Sequence, residues 1–204
     1  MSKTANRIHH CSGVILAGGL STRLAGKNKA LLKIGDRTVI GRIYAVFREL
    51  FDEIILVTNE PLRYMDMDLI ITTDIYPARS SLTGIHAGLF TAVHPHIFVT
   101  ACDTPFLKPE IVKTVLDKIE DRFDVIIPET SNGIEPLCAA YGKQCLKPME
   151  RHLSRGDFKI RRMFNKLRVR TVSEKMLMAK DPELISFFNI NTPEDLIRAT
   201  GFYQ

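Results

Sequence analysis

The sequence has no apolar run that approaches the ~20 residues needed to span a bilayer; its apolar stretches are short, as in Val14–Ala17. No charged-then-apolar leader opens the chain, so we expect a cytoplasmic protein without membrane contact.

The four cysteines, Cys11, Cys102, Cys138 and Cys145, form no C-x-x-C pair. This spacing argues against a zinc site and a thioredoxin-like motif and favours reduced thiols.

Two common nucleotide-binding motifs are also missing. The sequence contains neither G-x-x-x-x-G-K-[ST] nor G-x-G-x-x-G. A P-loop and the dinucleotide-binding fingerprint are therefore excluded.

The composition is that of an ordinary globular domain. The chain has 204 residues, of which 45% are hydrophobic and 25% charged, and this length favours one domain. The net charge of +5 is unevenly distributed, since residues 143–180 hold 12 Lys or Arg against 3 Asp or Glu. Such a patch attracts an anion, either a phosphorylated small molecule or nucleic acid. No aromatic platform or recognised motif accompanies it, so we expect no nucleic-acid partner.

Apolar runs alternate with helical periodicity along the chain, which predicts an α/β fold with a mostly parallel sheet and helices on both faces. Strands are predicted at 12–17, 53–58, 69–73, 97–102, 125–128, 136–141 and 167–172. Helices are predicted at 38–51, 82–93, 109–119, within 144–166, and from a capping box at Thr192. Residues 1–11 are expected to form a flexible tail and 12–204 a single domain. Ligands of such sheets bind at the carboxyl ends of the strands.

A glycine-rich loop follows the first predicted strand. Leu16, Ala17, Gly18 and Gly19 begin it, and paired glycines let backbone N–H groups approach a ligand. Arg23 has a planar fork suited to phosphate oxygens, and Lys29 adds a compact positive charge. The loop is therefore typical of a site for a triphosphate and its leaving group.

Polar side chains end three other predicted strands. Asp103 follows the strand at 97–102, and one carboxylate together with triphosphate oxygens is a typical Mg²⁺ environment. Asn59 and Asp74 follow two neighbouring strands. A carboxylate there can accept from the N1–H and 2-amino group of guanine, a pair of donors that adenine lacks. His86 is expected on the surface of the helix at 82–93.

Five motifs carry a family resemblance. They are L-A-G-G-L-S-T-R at 16–23, S-S-L-T-G-I-H-A-G-L at 80–89, C-D-T-P-F-L at 102–107, E-P-L-C-A-A-Y at 135–141 and F-N-I-N-T-P-E-D-L at 188–196. In this order they resemble the molybdenum cofactor guanylyltransferases, which are nucleotidyltransferases with a three-layer, Rossmann-like fold of the nucleotide-diphospho-sugar-transferase type. The chain departs from the family pattern at Leu24, Ala25 and Asn28, where Met, Gly and Asp are usual, and at Ser80–Ser81, where Gly-Pro is usual.

The resemblance implies a role for each matching position. It implies catalytic roles for Arg23, Lys29 and Asp103, with Asp103 as the magnesium ligand. The implied nucleotide-binding residues lie within 12–107 and are Leu16, Ala17, Gly18, Gly19, Lys29, Asn59, Asp74, Gly84 and Asp103. The implied acceptor-binding residues lie within 130–192 and are Pro136, Lys159, Arg161, Asn189 and Asn191.

The activity implied is transfer of GMP from GTP to molybdenum–molybdopterin, with release of pyrophosphate. Transient contacts with molybdenum-insertion proteins and molybdoenzyme chaperones are implied as well. Two alternatives stay open at this point. One is a cytidylyltransferase or another cofactor nucleotidyltransferase, and the other is a non-catalytic subunit that binds GTP and molybdopterin.

Overall fold

The computed structural model describes residues 10–18 and 28–202. Its main sheet contains eight strands, and seven of them follow the spatial order β10-β7-β9-β6-β1-β4-β5. These seven are β1 (Cys11–Leu16), β4 (Ile54–Val57), β5 (Ile70–Thr72), β6 (His96–Ala101), β7 (Val125–Thr130), β9 (Cys138–Gly142) and β10 (Val169–Ser173). The eighth, β8 (Gly133–Ile134), pairs with β7, and a small separate hairpin joins β2 (Lys33–Ile34) to β3 (Arg37–Thr38).

The sheet is mostly parallel, as predicted. Strand β9 is antiparallel to both β6 and β7, and β8 is antiparallel to β7. The seven predicted strands all form, with ends that differ from prediction by at most two residues. One of these differences moves the expected end of the tail, because β1 begins at the buried Cys11.

Helices cover both faces of the sheet, so the expected three-layer fold is confirmed. The helices are α1 (Val39–Leu50), α2 (Ser81–Thr91), α3 (Pro109–Leu116), α4 (Leu146–Leu153), α5 (Ile160–Met163), α6 (Glu174–Met178) and α7 (Pro193–Gly201). Alternate residues of β1 belong to different cores: Ile15 packs in the cluster that contains α1 and α3, and Val14 in the cluster that contains α2 and α4. This division follows from the two-residue period of a strand.

Capping explains where two of the helices begin. Ser80 and Thr83 form a capping box at α2, and Thr192 and Asp195 form the predicted one at α7. These side chains satisfy backbone N–H groups that the first helical turn leaves without partners. The sequence patterns did not predict α6, β8 or the β2–β3 hairpin, and the three strands among these are only two residues long.

Helix α2 lies very close to β1. A Cβ atom on Gly88 would come within 2.5 Å of the Val14 side chain. This contact distance requires glycine at position 88.

The prediction for His86 on the same helix was wrong, because its ring is buried between Tyr76 and Phe90. Burial lowers the pKa of the His86 imidazole, although Glu150 opposes that effect.

Asp181 anchors the segment that leads to the last helix. Its fully buried carboxylate accepts hydrogen bonds from Lys108 Nζ at 2.7 Å and from the Ser186 backbone N–H at 2.8 Å.

All four cysteines are buried and unpaired. None of the helices in the described residues combines the length and the apolar character required to cross a membrane.

Candidate functional site

A crevice of about 350 Å³ opens at the carboxyl end of the parallel strands. This is the position at which open α/β sheets bind their ligands. Its walls come from the residues after β1, β4, β5 and β6 and from the start of α2. The lining residues are Leu16, Ala17, Gly18, Asn28, Lys29, Ala30, Val57, Thr58, Asn59, Asp74, Arg79, Ser80, Ser81, Gly84, Ala101, Cys102, Asp103 and Leu137.

Two lining residues of the crevice, Lys29 and Asp103, form a polar cluster with Asn191, which is not itself a lining residue. Lys29 Nζ donates a hydrogen bond to Asn191 Oδ1 at 2.8 Å. The same ammonium lies 3.8 Å from Asp103 Oδ2. The structure therefore brings together the predicted Lys29 and Asp103 and adds Asn191, which was predicted on the acceptor side.

Backbone hydrogen bonds fix the relative position of this cluster. The Ile190 N–H donates to the Asp103 backbone carbonyl at 2.8 Å. Next to it, the Asn191 N–H donates to Asp195 Oδ2 at 2.9 Å, so the capping residue of α7 also holds Asn191. The carboxyl end of β6 and the start of α7 are thereby joined next to Asp103, which lines the crevice.

Asp103 has the electrostatic character of a cation ligand. Its Oδ1 is buried without a hydrogen-bond partner among the described residues. Burial raises the pKa of the carboxyl group, and the charge of Lys29 opposes this only in part. A bare, desolvated carboxylate oxygen is a hard donor suited to Mg²⁺. Among residues 10–18 and 28–202, no group of three or more His, Cys, Asp or Glu is arranged to hold a metal.

Another part of the crevice contains the residues predicted to recognise a base. Asn59 Nδ2 donates to Asp74 Oδ2 at 2.9 Å. The bond fixes the orientation of the carboxylate and leaves Oδ1 as its second acceptor. A carboxylate held in this way can accept hydrogen bonds from the N1–H and 2-amino group of a purine.

Gly84 lies at the start of α2 on the crevice wall, as predicted. A Cβ atom there would come within 3.2 Å of Leu16 Cδ2. Its small size therefore serves the packing of α2 against the end of β1 as well as the space in the crevice. At Gly18 a Cβ would have Asn59 Nδ2, at 3.7 Å, as its only neighbour within 4 Å among residues 10–18 and 28–202.

Seven of the predicted site residues are not among the lining residues of the crevice. Gly19 and Arg23 lie outside the described residues. The lining residues include none of the predicted acceptor-binding residues, which are Pro136, Lys159, Arg161, Asn189 and Asn191. The Asn189 amide donates to the Phe187 carbonyl, and Lys159 and Arg161 are exposed at the start of α5.

Ten of the lining residues were not predicted as site residues, and Arg79, Leu137 and Cys102 are among them. Arg79 directly precedes the capping box of α2, and its position beside Ser80 was the available signal. Leu137 lies within the E-P-L-C-A-A-Y motif, which was assigned to the acceptor pocket. Cys102 lines the crevice, but burial raises the pKa of its thiol, so it is no thiolate nucleophile.

Comparisons with known proteins agree with this architecture. The model of the MobA-like NTP transferase domain matches residues 13–172. A relative from Desulfosudis oleivorans, named molybdenum cofactor guanylyltransferase, is 49% identical over 92% of this chain and 93% of its own length. The crystal structure of molybdopterin-guanine dinucleotide biosynthesis protein A from Archaeoglobus fulgidus superposes with a TM-score of 0.83. It is 28% identical, and the match covers 94% of this chain and 98% of that one.

Proposed function

Since this chain belongs to the MobA-like NTP transferase family, we propose that it transfers GMP from GTP to molybdenum–molybdopterin. An oxygen of the terminal phosphate of the pterin attacks the α-phosphorus of GTP. A new P–O bond forms, the bond from the α-phosphorus to the bridging oxygen breaks, and pyrophosphate leaves. The observation that carries this proposal is the crevice, which has a carboxylate–ammonium pair in one part and an amide–carboxylate pair in another.

In this proposal the protein acts by positioning and electrostatics, because a phosphate nucleophile needs no general base. Asp103 Oδ1 would hold Mg²⁺, which when bound offsets charge on the phosphate oxygens. Lys29 stabilises the negative charge of the departing pyrophosphate. Arg23 and the backbone of Gly18 and Gly19 are assigned the same leaving group on the basis of the sequence motif.

The base is assigned to the other part of the crevice. Asp74, oriented by Asn59, accepts from guanine, while Gly84 leaves space at the start of α2. The acceptor phosphate is assigned to the region of Pro136, Asn189 and Asn191, with Lys159 and Arg161 as additional cations. Handover of the product implies transient contacts with molybdenum-insertion proteins and molybdoenzyme chaperones.

The test is an incubation with molybdenum–molybdopterin, Mg²⁺ and one of GTP, CTP or ATP. We expect pyrophosphate and a guanine dinucleotide product with GTP alone. Product with CTP would favour the cytidylyl alternative. GTP binding without pyrophosphate release would favour the non-catalytic subunit.

Asp74→Asn tests the assignment of the base. The new amide would accept from Asn59 through its oxygen and present its nitrogen to the base, a donor where guanine also donates. We expect GTP turnover to fall by tenfold or more, on the order of one lost charged hydrogen bond, and XTP to become the better substrate. A variant that keeps the wild-type ranking of GTP over XTP would contradict the assignment.

A further inference from the structure

Asn28 makes three side-chain hydrogen bonds directly before Lys29. Its Oδ1 accepts from the Ala30 N–H at 3.0 Å and caps the single 3-10 turn Lys29–Leu31. Its Nδ2 donates to Glu60 Oε2 at 3.0 Å and to the Tyr64 hydroxyl at 2.9 Å. The acceptor and the donor of the amide are both in use.

The partners of Asn28 lie directly after the strand end that carries Asn59. Glu60 directly follows Asn59, and Tyr64 ends the 3-10 turn Pro61–Tyr64 with its ring buried in the core. The bonds of Asn28 therefore connect the segment that carries Lys29 to the strand end that carries the proposed base-binding amide. A tether of this kind restricts where the Lys29 backbone can lie.

We propose that Asn28 is a positioning residue for Lys29, and that in this chain the position requires an amide. The inference rests on the proposed function of the crevice. Aspartate, the usual residue of the family here, accepts hydrogen bonds but cannot donate one when ionised. In this chain it would bring a second carboxylate to within about 3 Å of Glu60, where like charges repel.

Several charged and titratable groups surround the Asn28 amide. Glu60 forms an ion pair with Arg63 at 3.1 Å. Burial raises the pKa of the Tyr64 hydroxyl to about 12, so it remains a neutral hydrogen-bonding group. Lys29 is the adjacent residue, and the Cys102 thiol acts on Tyr64 from the β6 end. Among these groups only Glu60 presents a carboxylate to position 28.

Asn28→Asp is the variant that tests the proposal. We expect its kcat at alkaline pH to fall about tenfold, the size of one lost charge-assisted hydrogen bond, while its affinity for GTP changes much less. At acid pH, one proton shared between the new carboxylate and Glu60 restores a hydrogen bond. The kcat of Asn28→Asp relative to that of wild type should therefore rise as the pH falls. The readouts are pyrophosphate release against pH and GTP binding by calorimetry.

Two further variants make the result specific. Adding Glu60→Gln to Asn28→Asp provides an amide donor opposite the new carboxylate, and we expect kcat to recover and its additional pH dependence to disappear. Asn165→Asp adds the same charge at an exposed position outside the crevice and should behave as wild type. If Asn28→Asp matches Asn165→Asp, or if Glu60→Gln gives no rescue, the proposal is overturned.

A readout without substrate separates this inference from the proposed function. The melting temperatures of the two single variants and the double variant form a thermodynamic cycle. We expect the Asn28→Asp variant to be stabilised by Glu60→Gln, and additive effects would overturn the network. A wild-type protein that shows this coupling but transfers no nucleotide would refute only the proposed function.

Discussion

Lys29 and Asn191 are joined by a hydrogen bond of 2.8 Å between side chains that are 162 residues apart in the sequence. The bond holds the ammonium at 3.8 Å from Asp103. At that separation the two charges interact without forming a direct hydrogen bond. Asn191 thus keeps Lys29 close to the carboxylate while Asp103 Oδ1 remains available to a cation.

Replacing Asn191 tests this arrangement. Asn191→Ala removes the hydrogen-bond acceptor for the Lys29 ammonium, so the Lys29 side chain can adopt other rotamers. We therefore expect kcat to fall about tenfold. Stability should change little, because Asn191 is exposed. Steady-state kinetics and a melting curve measure both effects. A kcat equal to that of Asn165→Ala, a substitution outside the crevice, would contradict the role of Asn191.

Asp103→Asn should separate activity from stability. We expect turnover to fall by about 100-fold or more, because the charged oxygen proposed to hold Mg²⁺ is lost. The variant should nevertheless be more stable than wild type at neutral pH. Burial raises the pKa of the Asp103 carboxyl in the folded state, so ionisation above the unfolded pKa costs folding free energy.

The effect of Asp103→Asn on stability should depend on pH. The stability gain of Asp103→Asn should be present above the pKa of the folded carboxyl and vanish in acid, where the wild-type group is protonated in both states. Melting temperatures across the pH range measure it. A variant that is less stable than wild type at neutral pH would show that the carboxylate is not desolvated.

Asp181→Asn, unlike Asp103→Asn, should lower the stability of the protein at neutral pH. Burial alone raises the pKa of the Asp181 carboxyl, but hydrogen bonds from Lys108 and Ser186 outweigh it and hold the pKa below its usual range. Its contribution to stability is therefore present at neutral pH and lost as the pH falls through the folded pKa. We expect a loss of about 3 kcal/mol at neutral pH, measured by denaturant unfolding. The exposed Asp66→Asn serves as the control, and equal losses in both variants would contradict the prediction.

Gly88→Ala tests the contact between α2 and β1. The added methyl group would overlap Val14, which lies 2.5 Å from the new Cβ, so we expect a loss of about 2 kcal/mol. Gly201→Ala is the matched control, since no atom of the part of the chain that the structure describes lies within 4 Å of a Cβ at that helical position. Alanine there should stabilise the protein by roughly 0.5 kcal/mol. Similar effects at both positions would show that the helix can shift away from the strand.

The sequence predicted the sheet well for a physical reason. Strands such as Val125–Thr130 lie in a core that is covered on both faces, so their apolar runs are continuous and recognisable. The β2–β3 hairpin has two residues per strand, too few to show a period. His86 was misplaced because its partners, Tyr76, Phe90 and Glu150, lie on other turns and elements that local periodicity does not reveal.

Site residues could be predicted from the sequence where a functional side chain comes just after a predicted strand. Asp74 and Asp103 come just after β5 and β6, and the parallel sheet brings them to one edge. The contact of Asn28 with Glu60 and Tyr64 was not predictable, because it joins two loops whose separation depends on the packed core. The only local signal for Arg79 was its position directly before the capping box of α2, and the packing of α2 brings it to the crevice wall.

The proposed reacting centre of Lys29, Asp103 and Asn191 takes its third side chain from residue 191 of 204. A chain still being synthesised has Lys29 and Asp103 long before Asn191 and the cap of α7 that holds it. During synthesis, domains generally fold as units. Under the proposed function, unfinished chains lack Asn191 and therefore the complete cluster, so we expect them to consume nucleotide more slowly than the finished protein.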